Sequence, residues 1–199
     1  MDRNLALREI AQTGYNVGYG AKKHLATFDI VEKAPGWISI ASFAAGILAL
    51  VVPAFEDKLL AAIFLIIAYA VFYFNSYQEN RTRYAEVGSR LTALSHSLRG
   101  LYYEVQSRPA NSPIDDLMDR YQLLVEEHLR IGISKQIFLS DWYAHYKFFW
   151  QHQIGWMDEQ LKFRFWRDKV PLSASLFAGL SLLALAAWLA CGGGWRLCG

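Results

Sequence analysis

The sequence predicts an all-α membrane protein with a transmembrane helical hairpin, long cytoplasmic coiled-coil helices and a third, C-terminal span. Three segments carry no charge: residues 37–55 and 59–77, each 19 residues long, and residues 170–191, which number 22. At about 1.5 Å per residue, a helix of this length crosses a hydrocarbon core of roughly 30 Å. Between them, apolar residues recur at spacings of three and four, which is typical of amphipathic helices. A soluble chain of 199 residues could not cover three such segments with a polar shell.

The first two apolar segments form the predicted hairpin. Only Glu56, Asp57 and Lys58 separate them, and Pro53 lies near the end of the first segment. So short a connection places the two helices side by side and antiparallel. The third segment opens with Pro171, a residue favoured in a first helical turn. It is predicted to span as well, although it could instead lie in the interface or insert in only one functional state.

The distribution of Lys and Arg predicts the orientation. Residues 1–36 contain five and residues 78–170 contain thirteen, whereas the hairpin turn and the C-terminal tail contain one each. Because basic residues are retained on the cytoplasmic side, we expect the N-terminus and the central region in the cytoplasm. The predicted organisation is a cytoplasmic amphipathic helix at 1–36, a transmembrane hairpin at 37–77, a cytoplasmic helical region at 78–169, a third transmembrane helix at 170–191 and a short external tail at 192–199.

The N-terminal polar segment predicts one helix over residues 2–33, ended by the Pro-Gly pair at 35–36. Gly14 and Gly18 lie four residues apart and remove side-chain bulk from one face. They therefore predict close packing against a neighbouring helix. The alternative is that the glycines only weaken the helix, by about 1 kcal/mol each relative to alanine.

A coiled-coil seam follows the second span, because apolar residues alternate there at three and four over three heptads. No proline interrupts this stretch, so we expect one helix from Leu59 to about Gln106, roughly 70 Å long, that would transmit motion into the membrane. The seam could serve oligomerisation or pairing within the chain. Its residues are Tyr84, Val87, Leu91, Leu94, Leu98, Leu101 and Val105.

A second amphipathic helix is predicted after residues 107–113, which contain two prolines. Ser112 is the expected N-cap, Pro113 the first helical residue, and Asp115 an acidic residue of the first turn. Its apolar stripe runs to Ile131. This helix could fold back on the stalk as an antiparallel partner, or the same surface could join several copies.

The segment 134–169 keeps a helical pattern and is rich in aromatic residues. We expect the aromatic side chains of residues 138–156 to form a core beneath the stalk. The stretch 162–170, where aromatic and basic residues mix, is expected at headgroup level before the third span.

No catalytic, cofactor-binding or nucleic-acid-binding pattern is recognisable, since the sequence contains no phosphate-cradling loop, nucleophile elbow or zinc-protease motif. Asp141, His145 and His152 share a helix face and could present metal ligands, but no second ligand set completes a site. Packed or hydrogen-bonded histidines are the expected alternative. Cys191 and Cys198 could form a disulfide or remain free thiols.

The polar residues within the predicted spans are small. Ser39, Ser42 and Gly46 lie in the first span. Small residues allow close packing between helices, which is one interpretation of all three positions. The functional alternative for Ser39 and Ser42 is that they line a pore.

The stretch TGYNVGYGAKKHLATFDIVEKAPGWISIASFAAGIL at residues 13–48 resembles the SLATT proteins, the SMODS- and SLOG-associated two-transmembrane effectors of bacterial defence operons. The shared order is a helix with small and basic residues, a Pro-Gly break, a tight pair of spans and a long helix. The similarity weakens toward residue 165 and is absent after it, and the third span departs from the two-span pattern. The positions at which the resemblance is most specific are Tyr15, Gly18, Gly20, Ala21, Lys22, Lys23, His24 and Asp29.

The resemblance implies a non-enzymatic effector of a bacterial antiphage, abortive-infection system in the inner membrane. It implies a protein held silent until a defence-system sensor or regulator, or a nucleotide second messenger, releases it to form a homo-oligomeric pore or lesion. On the residues alone, the predicted join between hairpin and stalk favours the same function. The alternative is a non-conducting scaffold that recruits a cytoplasmic partner through its coiled-coil region.

Overall fold

The computed structural model describes residues 2–51, 58–109 and 112–190, and all regular secondary structure in these residues is helical. This confirms the all-α class. The chain forms two compact units, Met1–Leu161 and Lys162–Gly199. The elements are α1 (Arg3–Val51), α2 (Lys58–Asn75), a 3₁₀ turn (Gln78–Asn80), α3 (Arg81–Ser107), α4 (Asp115–Arg130), α5 (Ser140–Tyr146), a π-helical turn (Lys147–Gln151), α6 (Gly155–Leu161), α7 (Phe165–Asp168) and α8 (Leu172–Ala190).

Helix α1 runs unbroken through Pro35 and Gly36, so the predicted helix end at this pair is wrong. Proline has no N–H to donate to the carbonyl four residues earlier, which belongs to Val31. The side-chain amide of Gln78 donates to that carbonyl instead, at 3.0 Å. A tertiary hydrogen bond thus replaces the one that proline removes, and the helix continues into the apolar segment.

The second span and the stalk are two separate helices, so the predicted single helix from residue 59 to 106 is wrong. Helix α2 ends at Asn75, and α3 begins at Arg81. Between them the Ser76 hydroxyl donates to the Tyr73 carbonyl at 2.8 Å. Serine side chains that bond to nearby backbone offer the chain an alternative to the helix, which explains why it ends here.

Helix α3 packs antiparallel along the N-terminal half of α1. At one end the Arg3 guanidinium bonds to the Gln106 carbonyl, and at the other Arg81 pairs with Glu32 at 2.7 Å. The two helices thus stay side by side over the whole length of α3.

Helix α4 lies against both α1 and α3. The hydroxyls of Tyr121 and Thr13 are 2.7 Å apart, which joins α4 to α1. The helix has Ile114 at its N-cap with no capping hydrogen bond from that side chain, so the predicted cap at Ser112 is wrong. Burial of Ile114 in the core explains why the helix begins later than predicted.

The chain then returns along α1 as short pieces, so the predicted helical pattern over residues 134–169 holds only locally. The loop 131–139 precedes α5, which passes directly into the π-helical turn, and the non-helical residues 152–154 separate this turn from α6. The predicted aromatic core is only partly formed. Phe148 and Trp156 are buried, whereas Phe138 remains 73% exposed.

Two helices of the described chain are long and apolar enough to cross a bilayer: α1 through its C-terminal half, and α8 in the second unit. In neither helix is any of the most apolar 18-residue window buried. In α2, large side chains such as Leu65 and Phe72 also face outward. So many exposed apolar side chains fit lipid better than water, and the chain is a membrane-associated protein.

Several predictions concern residues outside the described ranges: Pro53 and Phe55 near the end of the first span, Glu56 and Asp57 of the hairpin turn, Cys191 and Cys198, and the tail at 192–199. In the second unit, Phe165 and Trp166 are 47% and 80% exposed. Their position at a membrane interface stays a prediction.

Candidate functional site at the glycine face and the span junction

The predicted seam on α3 is buried against α1 of the same chain. Leu98 and Val105 have no exposed surface, while Val87 is half-buried. The structure thus realises the pairing within one chain, with α1 rather than α4 as the main partner. Oligomerisation through the seam stays a prediction, and it would require these helices to separate. The other seam residues in the core are Tyr84, Leu91, Leu94 and Leu101.

Aromatic rings pack against Gly14 and Gly18. They belong to the returning segment, which follows the loop 131–139 and runs back along α1. A methyl group at Gly14 would lie 2.2 Å from Cη2 of Trp156, and one at Gly18 would lie 3.1 Å from Cε2 of Phe148. Any side chain on these residues would therefore displace the rings or strain the contact. We call this side of α1, defined by Gly14 and Gly18, the glycine face.

Gly88 on α3 marks a place where α1 and α3 approach closely. A methyl group there would lie 2.6 Å from Cγ of Leu25 and 3.3 Å from its backbone nitrogen. Sequence reasoning did not single out Gly88 as a packing residue. A glycine within an otherwise regular heptad seam is the signal that could have identified it.

The small residues of the first span do not converge on one site. Ser39 bonds to its own helix, since its hydroxyl donates to the Pro35 carbonyl at 2.8 Å. The Ser42 hydroxyl is buried and finds no partner among the described residues, and no atom of the described chain lies within 4 Å of a methyl at Gly46. Pore lining by Ser39 and Ser42, and packing at Gly46, stay predictions.

A cluster of tyrosines joins the hairpin to the helices packed on α1, at what we call the span junction: the loop 131–139 and the ends of α2 and α3 beside it. Tyr84 and Tyr77 donate to backbone carbonyls of the loop at 2.6 and 3.3 Å. The hydroxyl of Tyr73 accepts from the Phe138 N–H at 3.2 Å. Three side chains, from α2, α3 and the connection between them, thereby fix a loop that has no regular structure of its own. Sequence reasoning missed this role.

His24 fixes the same loop from α1. Its Nδ1 lies 2.8 Å from the Gly20 carbonyl, and its Nε2 accepts a hydrogen bond from the Ile133 N–H at 3.1 Å. An accepting Nε2 requires a neutral ring with its proton on Nδ1. Burial lowers the pKa of His24, outweighing the hydrogen bond to the Gly20 carbonyl, which favours the charged form.

Charged pairs hold the returning segment beside α1. Asp29 receives hydrogen bonds from Lys147 and, at 3.2 Å, from Lys33. Burial alone would raise the pKa of Asp29, but these hydrogen bonds outweigh it and the pKa is lowered. A second bridge joins Lys23 to Asp141 at 2.8 Å. Both pairs connect α1 to the segment whose rings cover the glycine face.

The three candidate metal ligands have other surroundings. Asp141 is engaged by Lys23, and the His145 ring lies 6.1 Å from that of Tyr19. Burial, reinforced by nearby cations, lowers the pKa of His152 to about 4. Within the residues that the structure describes, no three His, Cys, Asp or Glu side chains form a cluster that could hold a metal ion.

Comparison with known proteins identifies one family over most of the chain. The model of the SMODS and SLOG-associating 2TM effector domain 6 matches residues 1–178. The match includes the glycine face, the hairpin and the returning segment, and it ends within α8, beyond residue 165 where sequence reasoning ended the similarity. No curated protein and no solved structure matches the chain.

Proposed function

Because the chain belongs to the SMODS and SLOG-associating two-transmembrane effector family, a family of bacterial defence effectors, we propose that it is a non-enzymatic effector that permeabilises the inner membrane in abortive infection. Several copies assemble into a pore or lesion once a defence-system sensor or regulator, or a nucleotide signal, releases them. The N-terminus and the central region lie in the cytoplasm, where such a signal arises.

The observation that carries this proposal is the continuity of α1. Its 49 residues form one helix, about 73 Å long at the standard rise. The N-terminal part is packed against α3 and α4, and the C-terminal part is apolar and exposed. Because a helix is stiff over this length, a displacement at its packed end moves its membrane end. The sequence suggested that one long helix of residues 59–106 would transmit motion into the membrane. In this proposal α1 has that role.

The coupling is tested at Gly36, which has no described atom within 4 Å of a methyl placed on it. Gly36→Pro removes the N–H that bonds to Glu32 and disfavours the helical conformation at Pro35, so it breaks α1 between its packed and apolar parts. Gly36→Ala keeps the helix and is the matched control. At high expression, or in proteoliposomes with a high protein-to-lipid ratio, mass action favours assembly without a signal. Under these conditions we expect wild type and Gly36→Ala to depolarise cells and to release ions, and Gly36→Pro to do neither while remaining membrane-bound. Equal ion release by all three proteins would contradict transmission of motion through α1.

The second candidate is a non-conducting scaffold, favoured by an open groove between α3 and α4 of about 390 Å³. Leu123, on its rim, is 66% exposed and could receive an apolar side chain of a cytoplasmic partner. Under this alternative, Leu123→Asp would abolish function with no ion release at any stage. The remaining lining residues are Ser97, Gly100, Glu104, Arg120 and Leu124.

A further inference from the structure

The segment from Ser140 to Leu161, made of α5, the π-helical turn and α6, lies between two residues in the left-handed backbone region. Leu139 has φ 68° and Lys162 has φ 51°. Residues other than glycine rarely adopt this conformation, because their Cβ atoms crowd the backbone. Such residues persist only where the surrounding structure holds them, so both ends of this segment are strained.

The segment also depends on its surroundings for its own helical structure. Helices α5 and α6 have seven residues each, far below the length at which an isolated helix is stable in water. The five-residue π-helical turn between them is a rare conformation that recurs at functional sites. Its fold is therefore maintained by what it packs against.

Aromatic rings supply most of that packing on α1. Phe148 lies over Gly18 and meets the Tyr15 ring edge-on, with 5.5 Å between centroids. Trp156 lies over Gly14 and is only 4% exposed. The rings occupy the glycine face, so no other helix can pack there while the segment stays in place.

Polar contacts fasten the segment at both ends. Near its start are the pairs Lys23 with Asp141 and Asp29 with Lys147. Near its end the Tyr102 hydroxyl of α3 donates to Glu159 at 2.9 Å. These contacts join the segment to α1 and α3, and α1 and α3 also pack extensively on each other. Helices that are paired independently of the segment can stay folded when it leaves.

We propose that residues 140–161 are a strap that covers the glycine face of α1 and detaches as a unit. The function of this detachment rests on the function proposed above: with the strap in place the effector is inactive, and its departure frees the glycine face and begins activation. Relief of strain at Leu139 and Lys162 favours the detached state and offsets part of the lost packing.

The strap is tested by hydrogen exchange on the full-length protein in lipid nanodiscs. In Gly14→Ala the added methyl overlaps Trp156, so the amides of residues 140–161 should exchange about tenfold faster or more, with the protection of α3 unchanged. Gly20→Ala is the matched control on the same helix, because its methyl would be at an ordinary 3.7 Å from Leu91. Faster exchange throughout α1 and α3, or no change in the strap, would overturn the proposal.

Substitutions at Lys162 test the strain in both directions without touching the core. Lys162→Gly accepts a positive φ and should slow exchange of the strap, whereas the β-branched Lys162→Val should speed it, each by roughly threefold to tenfold. Equal exchange in the two variants would contradict strain at this end.

Growth assays separate the strap from the proposed function. If the strap restrains the effector, Gly14→Ala should arrest growth at an expression level at which wild type and Gly20→Ala do not. Selective exchange in the strap with unchanged toxicity would reject the restraining role alone. Selective exchange in the strap with no ion release by any variant would support a strap that detaches as a unit. It would reject the proposed effector function.

Discussion

At the scale of single residues, Pro35 and Gln78 depend on each other. Gln78→Ala removes the donor to the Val31 carbonyl and should cost about 1–3 kcal/mol in the free energy of unfolding, since a buried carbonyl loses its partner. In a Pro35→Ala background the backbone N–H is restored, and the same substitution should cost little. Thermal unfolding of the four proteins in detergent, followed by circular dichroism, measures this cycle. An equal cost in both backgrounds would show that Gln78 does not replace the missing N–H.

His24 makes the stability of the span junction dependent on pH. Burial holds its pKa in the folded protein below the ordinary value of about 6.5, so the unfolded chain binds more protons in acid. Its contribution is therefore complete above about pH 6.5 and is lost as the pH falls below that value. Protonation also removes the acceptor for the Ile133 N–H.

The prediction for His24 is a flatter pH profile in His24→Gln than in wild type, measured as the free energy of unfolding between neutral and acidic pH. The exposed Ser97→Ala, which changes no titratable group, is the control and should keep the wild-type slope. Residual dependence is expected from His128 and His152, whose pKa values burial also lowers. Identical slopes in all three proteins would exclude His24 as a contributor.

At the scale of elements, the seam of α3 is a surface within one chain. Leu98→Ala should cost about 2–5 kcal/mol because the side chain is fully buried. The half-buried Val87 should tolerate the same change with a smaller loss. If α1 of the same chain is the partner, the unfolding midpoint of either variant should not depend on protein concentration. A midpoint that rises with concentration would place the seam between copies.

The element pattern was largely predictable, because apolar spacing identifies both α3 and the exposed segments directly. The breaks between elements were not. Helix α1 continues through Pro35 only because Gln78, far along the chain, reaches its backbone. The loop 131–139 is irregular because tyrosines and His24 take up its backbone groups. Periodicity records which face is apolar and carries no information about such distant hydrogen bonds.

The same limit applies to the candidate site. For Gly14 and Gly18 the sequence suggested a neighbouring helix, whereas aromatic rings of the returning segment cover them. Helical spacing within residues 134–169 concealed the strained positions at Leu139 and Lys162. A positive φ at a leucine or a lysine has no sequence signature, because the surrounding packing imposes it.

At the scale of the whole molecule, the proposed orientation places α3 in the cytoplasm. A cysteine at the exposed Ser97, in a chain whose Cys191 and Cys198 are changed to serine, reports on it. A membrane-impermeant thiol reagent should label this residue only after the inner membrane is permeabilised. Labelling in intact spheroplasts would show that the orientation is the opposite of the proposed one.

The account depends most on lipid being the surroundings of the exposed apolar helices. Extraction of bacterial membranes with alkaline carbonate tests this directly, because it strips peripheral proteins and leaves inserted helices in the bilayer. Full-length protein should remain in the membrane pellet, and an arginine in place of Ile47 and of Leu65 should weaken its retention. Recovery of the wild-type chain in the supernatant as a folded, soluble species would contradict membrane insertion and the effector function built on it.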